Sequence, residues 1–76
     1  MKEFIEFIVQ HIVDKPEEVV IEEIGGHHII VYELRVGRGD MGKVIGRGGQ
    51  TATALRIIIA AASAKFGKRA VLEIVE

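Results

Sequence analysis

At 76 residues with no cysteine, the chain is sized for one small domain, 1–76, and holds neither disulfides nor thiolate metal sites. Its formal charge is −1 and its hydrophobic share 49%, generous for so short a chain, which points to a tightly packed domain or to an apolar contact surface. The most apolar run, Ala52 to Phe66, is broken by Arg56 and Lys65 and is shorter than the roughly 18 residues of a membrane span; the start, with Lys2, Glu3 and Glu6, has no signal-peptide pattern, so a cytoplasmic location is expected.

In chain order, Phe4, Ile5, Ile8, Val9 and Ile12 recur at helical spacing, and the pattern predicts a helix over Met1 to Val13. Pro16 ends it. Glu18 to Ile24 reads as a strand, with Val19 and Ile21 on one face and Val20 and Ile24 on the other. Gly25 and Gly26 predict a two-residue hairpin, since both positions tolerate positive φ. His27 and His28, adjacent beside a turn, point to opposite faces and do not chelate one metal; His11 has no second ligand at helical spacing and reads as a surface residue.

Ile29 to Val36 is the clearest strand: Ile30, Tyr32, Leu34 and Val36 form the core set, alternating with Ile29, Val31, Glu33 and Arg35. Gly37 to Asp40 is a turn, with Asp40 expected to cap a short helix from Met41 to Ile45. The Arg38-Gly39-Asp40 triplet is too short to carry an adhesion function.

Gln50 to Phe66 is the longest helix, stopped by Gly67. Leu55, Ile58, Ile59, Ala62 and Phe66 form one apolar stripe and Ile57, Ala60, Ala61 and Ala64 a second, predicting contact with the sheet on one side and with another helix or a partner subunit on the other. Ala70 to Val75 is the last strand, with Ala70, Leu72 and Ile74 inward. The expected fold is α+β, in the order α-β-β-α-α-β: a three-stranded mixed sheet with helices on one face. Its other face shows Val20, Ile29, Val31, Val71 and Val75, a second hint of self-association.

Three glycines in Gly46-Arg47-Gly48-Gly49 cannot lie within a stable helix, so they mark an open turn between two helical pieces. The start of the following helix offers unpaired N–H groups, with Lys43 and Arg47 close by. From Arg35 to Arg56 there are five basic residues (Arg35, Arg38, Lys43, Arg47, Arg56) and one acid, Asp40, a net of +4; the remaining residues carry five basic and ten acidic groups, a net of −5. This charge pattern fits a small basic surface for nucleic acid on an acidic body and equally a chance cluster on a solvated face.

Enzymatic readings find no support. There is no HExxH, the only serine, Ser63, sits in an apolar helix as a packed small residue, and the glycine segment lacks the lysine–threonine end of a Walker loop and the preceding strand of a dinucleotide fold. No catalytic residue, metal or cofactor is expected.

Val44-Ile45-Gly46-Arg47-Gly48-Gly49 resembles the VIGxxG signature of KH domains, with Gly46 and Gly49 at the fixed glycines of the GXXG loop and Arg47 and Gly48 at its variable pair. Gly42, Lys43, Thr51, Ala52 and Leu55 also resemble the family, and the element order is that of a type II KH domain in its small, single-domain KhpA-like form. The resemblance implies single-stranded RNA binding, in the role of a global RNA chaperone or regulator. The loop is to clamp the nucleotide backbone, while the helices and the middle strand supply the base-facing floor.

On these residues, the N–H groups of Gly48, Gly49 and Gln50 are expected to meet phosphate oxygens, with charge from Lys43 and Arg47. Gly42, Val44 and Ile45 shape an apolar floor, Ile45 more as core than as contact, and Arg35, Arg38 or Arg56 line the edge. A short footprint favours paired copies, so a homodimer is expected, and the resemblance adds a KhpB-like protein partner. The competing reading is a KH-shaped protein-interaction or dimerisation module without significant nucleic-acid affinity.

Overall fold

The computed structural model describes all residues, Met1–Glu76. Helix α1 (Lys2–Gln10) is followed by strands β1 (Val20–Gly25) and β2 (Ile29–Arg35), helices α2 (Met41–Ile45) and α3 (Gln50–Ala64), and strand β3 (Arg69–Ile74). The sheet has the order β1-β2-β3, with β1 antiparallel and β3 parallel to β2. This is the expected α-β-β-α-α-β arrangement of a mixed sheet with helices on one face.

Alternation in the strands sets the inner face. Ile21, Tyr32, Leu34, Ala70 and Leu72 are buried, as are Ile5 and Val9 from α1 and Leu55 and Ile59 from α3. Residues of the opposite parity, Val20, Ile24 and Ile29, are about half exposed on the outer face. Tyr32 is buried among these apolar side chains; its phenol titrates above its usual 10.0, raised first by burial and then by the Glu23 carboxylate.

Several local expectations shift. Helix α1 closes at Gln10 rather than Val13, and the chain tightens through Ile12 N–H to Val9 O (2.9 Å) and Val13 N–H to Val9 O (3.2 Å). His11 is exposed, its ring tilted against that of Phe7 with centroids 4.4 Å apart. Asp40 does not cap α2 with its side chain. Its carboxylate turns back across the fold, where Oδ1 accepts Asp14 N–H at 3.1 Å and Oδ2 accepts Lys15 N–H at 3.0 Å. Only 2% of Asp40 remains exposed, so this pair of bonds ties the α1 exit to the loop that launches α2.

The hairpin differs too. Gly25 pairs with Ile30 inside the ladder, leaving Gly26, His27 and His28 as the connection, and neither Gly25 nor Gly26 takes positive φ. Pro16–Glu18 form a 3-10 turn, which delays β1 to Val20.

Helix α3 buries one side only: Ala52, Leu55, Ile59 and Ser63. Ile57, Ile58, Ala61 and Phe66 are left exposed, since the sheet covers a single arc of the helix and α1 packs on β1. Ser63 is more than a small packed residue. Its hydroxyl donates to Ala60 O at 3.1 Å and accepts Ala70 N–H at 3.3 Å, joining α3 to β3. Helix α3 stops at Ala64, short of the expected Phe66, and the chain turns through Gly67 at φ 69°, with Lys68 N–H returning to Ser63 O at 3.3 Å.

Candidate nucleic-acid interface

The glycine turn is built by backbone geometry that side chains resist. Gly46 lies at φ 76°, ψ 172°, a region reserved for glycine, and closes α2 through its N–H to Gly42 O at 2.8 Å. A Cβ there would fall on the Thr51 hydroxyl and within 2.8 Å of Thr51 Cβ and N. Gly48 (φ 62°) and Gly49 (φ 78°) are left-handed and open to solvent, so the turn projects outward without a side-chain wall.

Beside this turn lies a groove of about 340 Å³. Met41 and Ile45, four residues apart on α2, form one wall; Gly49, Ala52, Thr53 and Arg56 follow along α3; Ile74 and Glu76 close it from β3 and beyond. The far wall is therefore the edge strand β3. Strand β2, the expected source of the floor, is enclosed between its neighbours and contributes no lining residue.

The structure sorts the expected residues into three groups. Ile45, Gly49 and Arg56 line the groove, with Gly46, Arg47 and Gly48 completing the turn at its mouth and Gln50 exposed at the first position of α3. Gly42 is exposed next to Met41, and a Cβ there would meet nothing within 4 Å, so the flank is open. Val44 and Ile45 exchange the parts expected of them: Val44 is fully buried in the core, and Ile45 is 39% exposed beside the groove. The remaining cations lie elsewhere. Lys43 sits on the α2 flank opposite Met41 and Ile45, its Nζ 3.3 Å from Asp14 Oδ2. Arg35 belongs to the outer sheet face beside Glu33, at 3.9 Å. Arg38 is exposed in the loop before α2, its carbonyl accepting Lys15 Nζ at 2.9 Å.

The amide donors divide as well. Gly49 N–H bonds Gly46 O at 3.1 Å and Gln50 N–H bonds Arg47 O, so two of the three expected donors hold the 3-10 turn. The Gly48 amide takes no part in either bond. Sequence reasoning missed Met41, Thr53, Ile74 and Glu76; their membership depends on β3 running alongside α3, and only the crossover order hinted at that neighbourhood.

Comparison with known proteins bears on this geometry. The family model described as "KhpA/KhpB, KH domain" matches residues 2–74. The chain belongs to that family. The RNA-binding protein KhpA of Chlamydia trachomatis is 45% identical over 76 residues, 100% of this chain and 97% of the relative. That of Clostridium perfringens is 47% identical over 75 residues, 99% of this chain and 100% of the relative. That of Aquifex aeolicus is 45% identical over 76 residues, 100% and 96% of the two chains. No solved structure matches the chain. The family and the element order together identify a type II KH domain, a non-catalytic binding module. No helix is long and apolar enough to cross a membrane.

Proposed function

We propose that this KH domain binds single-stranded RNA along the groove between α2, α3 and β3, with the Gly46–Gly49 turn holding the backbone, as an RNA chaperone or regulator in the cytoplasm. The observation that carries this reading is the glycine-rich turn, with Arg47 at its tip, next to a groove that combines the apolar Met41, Ile45, Ala52 and Ile74 with Arg56, in a chain whose relatives are named RNA-binding proteins. Phosphates approach the Gly48 amide and the positive end of α3, while Arg47 adds charge from the exposed tip. Bases pack on Ile45, Met41 and Ile74. Lys43, engaged by Asp14, takes a secondary part as a long-range cation.

Arg47→Asp combined with Gly48→Asp tests the clamp. Space around Gly48 is open and aspartate tolerates left-handed backbone better than most residues, so the fold is retained. Two carboxylates then stand where phosphates must lie. Anisotropy with a labelled single-stranded RNA should show affinity falling at least about 10-fold, an estimate from like-charge repulsion at close range. Equal affinity for wild type and variant would sink the clamp and favour the protein-interaction reading.

The same reading includes a homodimer formed through α3. Ile57 is 64% and Phe66 76% exposed, and with Ile58 and Ala61 they make a contiguous apolar strip away from the groove. Pairing two copies, or one copy with a KhpB-like chain, raises the effective concentration of a second groove. Sedimentation velocity should give a dimer for the wild type and a monomer for Ile57→Asp; a monomeric wild type at high concentration would remove this part.

A further inference from the structure

The helix-side face of the sheet carries one carboxylate. Strand β1 puts Ile21 and Glu23 on that face, and Glu23 stands directly opposite Tyr32 in the β1–β2 ladder. Helix α1 packs on β1 and α3 on β3, and between their ends the sheet is left open as a cavity of about 470 Å³. Ile30 and Ala70, register partners on β2 and β3, form its floor; Phe66 and Lys68, just past α3 and exposed, form its rim. The glycine turn lies at the other end of α3, a helix of 15 residues and so roughly 22 Å away. The cavity is therefore separate from the groove described above.

We infer that this cavity is a binding site for a guanine nucleotide, with Glu23 and Tyr32 reading the base and Lys68 meeting the phosphate. The two polar side chains of the cavity wall stand side by side and offer different things. The Glu23 carboxylate only accepts, through two oxygens. The Tyr32 side chain is buried, and burial first, then the Glu23 charge, raise the phenol above its usual pKa, so it stays an O–H donor at neutral pH. Together they present two acceptors beside a donor, and a hydroxyl rotates to suit its partner. The Watson–Crick edge of guanine is the complement: N2–H and N1–H for the carboxylate, and O6 for the phenol. Adenine sets its N1 lone pair against the carboxylate, cytosine its N3 and uracil its O2, so each leaves an acceptor facing a charge of the same sign. The apolar floor of Ile30 and Ala70 and the Phe66 ring receive the faces of the base, and the Lys68 ammonium stands at the mouth, where a phosphate projects. The volume is that of a small-ligand pocket. The inference does not depend on the groove at the glycine turn.

The test is a titration of the intact chain with GMP, AMP, CMP and UMP, followed at the backbone amides, with a uridine oligonucleotide ending in guanosine as a further arm. GMP should shift Tyr32, Lys68 and Ala70 rather than Gly48, with an affinity at least about 10-fold above the other three nucleotides, within the range of a bidentate base contact. Shifts of the same amides with the guanosine-ended oligonucleotide alone would keep the site and assign its guanine to RNA. Glu23→Gln replaces one acceptor by a donor and should erase the preference for guanine; Glu23 is exposed on an edge strand, so a melting curve close to wild type verifies the fold. Tyr32, Lys68 and Ala70 unmoved by both guanine ligands, equal affinity for the four nucleotides, or a guanine preference that survives Glu23→Gln overturns the inference. Glu23 is then an inward charge that guards the β1 edge against strand pairing.

Discussion

Gly46→Ala is expected to lower the melting temperature by about 15 °C, taking a cost of about 3 kcal/mol and the usual several degrees per kcal/mol for a domain of this size. Two terms add. The backbone at φ 76°, ψ 172° is strained for any residue with a Cβ, at about 1–3 kcal/mol. The added methyl also meets Thr51 Cβ and N at 2.8 Å, and Thr51 lies in the first turn of α3, where yielding means displacing the helix. A domain of 76 residues holds a total stability of about 4–11 kcal/mol, so this is a large share of it. Gly48→Ala is the internal control: its backbone is also left-handed, but a Cβ meets nothing within 4 Å, so the cost is about 1 kcal/mol. Thermal melts of the two variants side by side would decide it; equal stability would mean that the close approach of Gly46 to Thr51 does not shape the turn.

The second large effect is expected at Asp40. Its carboxylate accepts two backbone N–H groups from residues 25 and 26 positions earlier and is buried, unlike the exposed Lys15–Arg38 and Lys43–Asp14 contacts that also link the α1 exit to α2 and the loop before it. Hydrogen bonds to a charged group contribute about 1.5–3 kcal/mol each, and removing the acceptor leaves both amides partly buried without a partner. Asp40→Ala should therefore cost about 3 kcal/mol, read as a lowered urea midpoint with unchanged slope. Asp40→Asn keeps one carbonyl acceptor and should fall between the two. An Asp40→Ala midpoint equal to wild type would contradict the tie.

These two residues mark the limits of what the sequence discloses. Gly46 was legible because the signal is local: glycines crowded between helical patterns admit few backbone paths. The same holds for the Gly67 stop and for the alternation in β2, which together with chain order were enough for the topology. Asp40 stood at a helix start and read as its cap, since nothing in the neighbouring residues reveals partners on the far side of the fold. Lys43 read as a phosphate contact from its place beside the glycine turn, and its ion pair with Asp14, being tertiary, was not legible there. Helix α3 is apolar nearly all round, so periodicity alone did not choose between Ile58 and Ala52 as the inward residue. The exchange between Val44 and Ile45 has the same origin, because adjacent apolar residues in a one-turn helix offer no period to read.

Function follows from how these pieces meet. The Asp40 tie holds the start of α2 to the α1 exit, and the Gly46 approach sets the end of α2 against the first turn of α3, beside the groove whose far wall is the β3 edge. Arg56 lines that groove and the exposed apolar strip of α3 lies elsewhere, so the proposed RNA binding and the proposed pairing of copies fall on separate surfaces. The most direct measurement is an amide chemical-shift titration of the intact chain with a short single-stranded RNA. The account predicts the largest changes at Gly46–Gly49, Thr53, Arg56 and Ile74, with the outer-face residues Val20 and Ile29 unmoved; changes concentrated on that outer face, or none at the glycine turn, would contradict it.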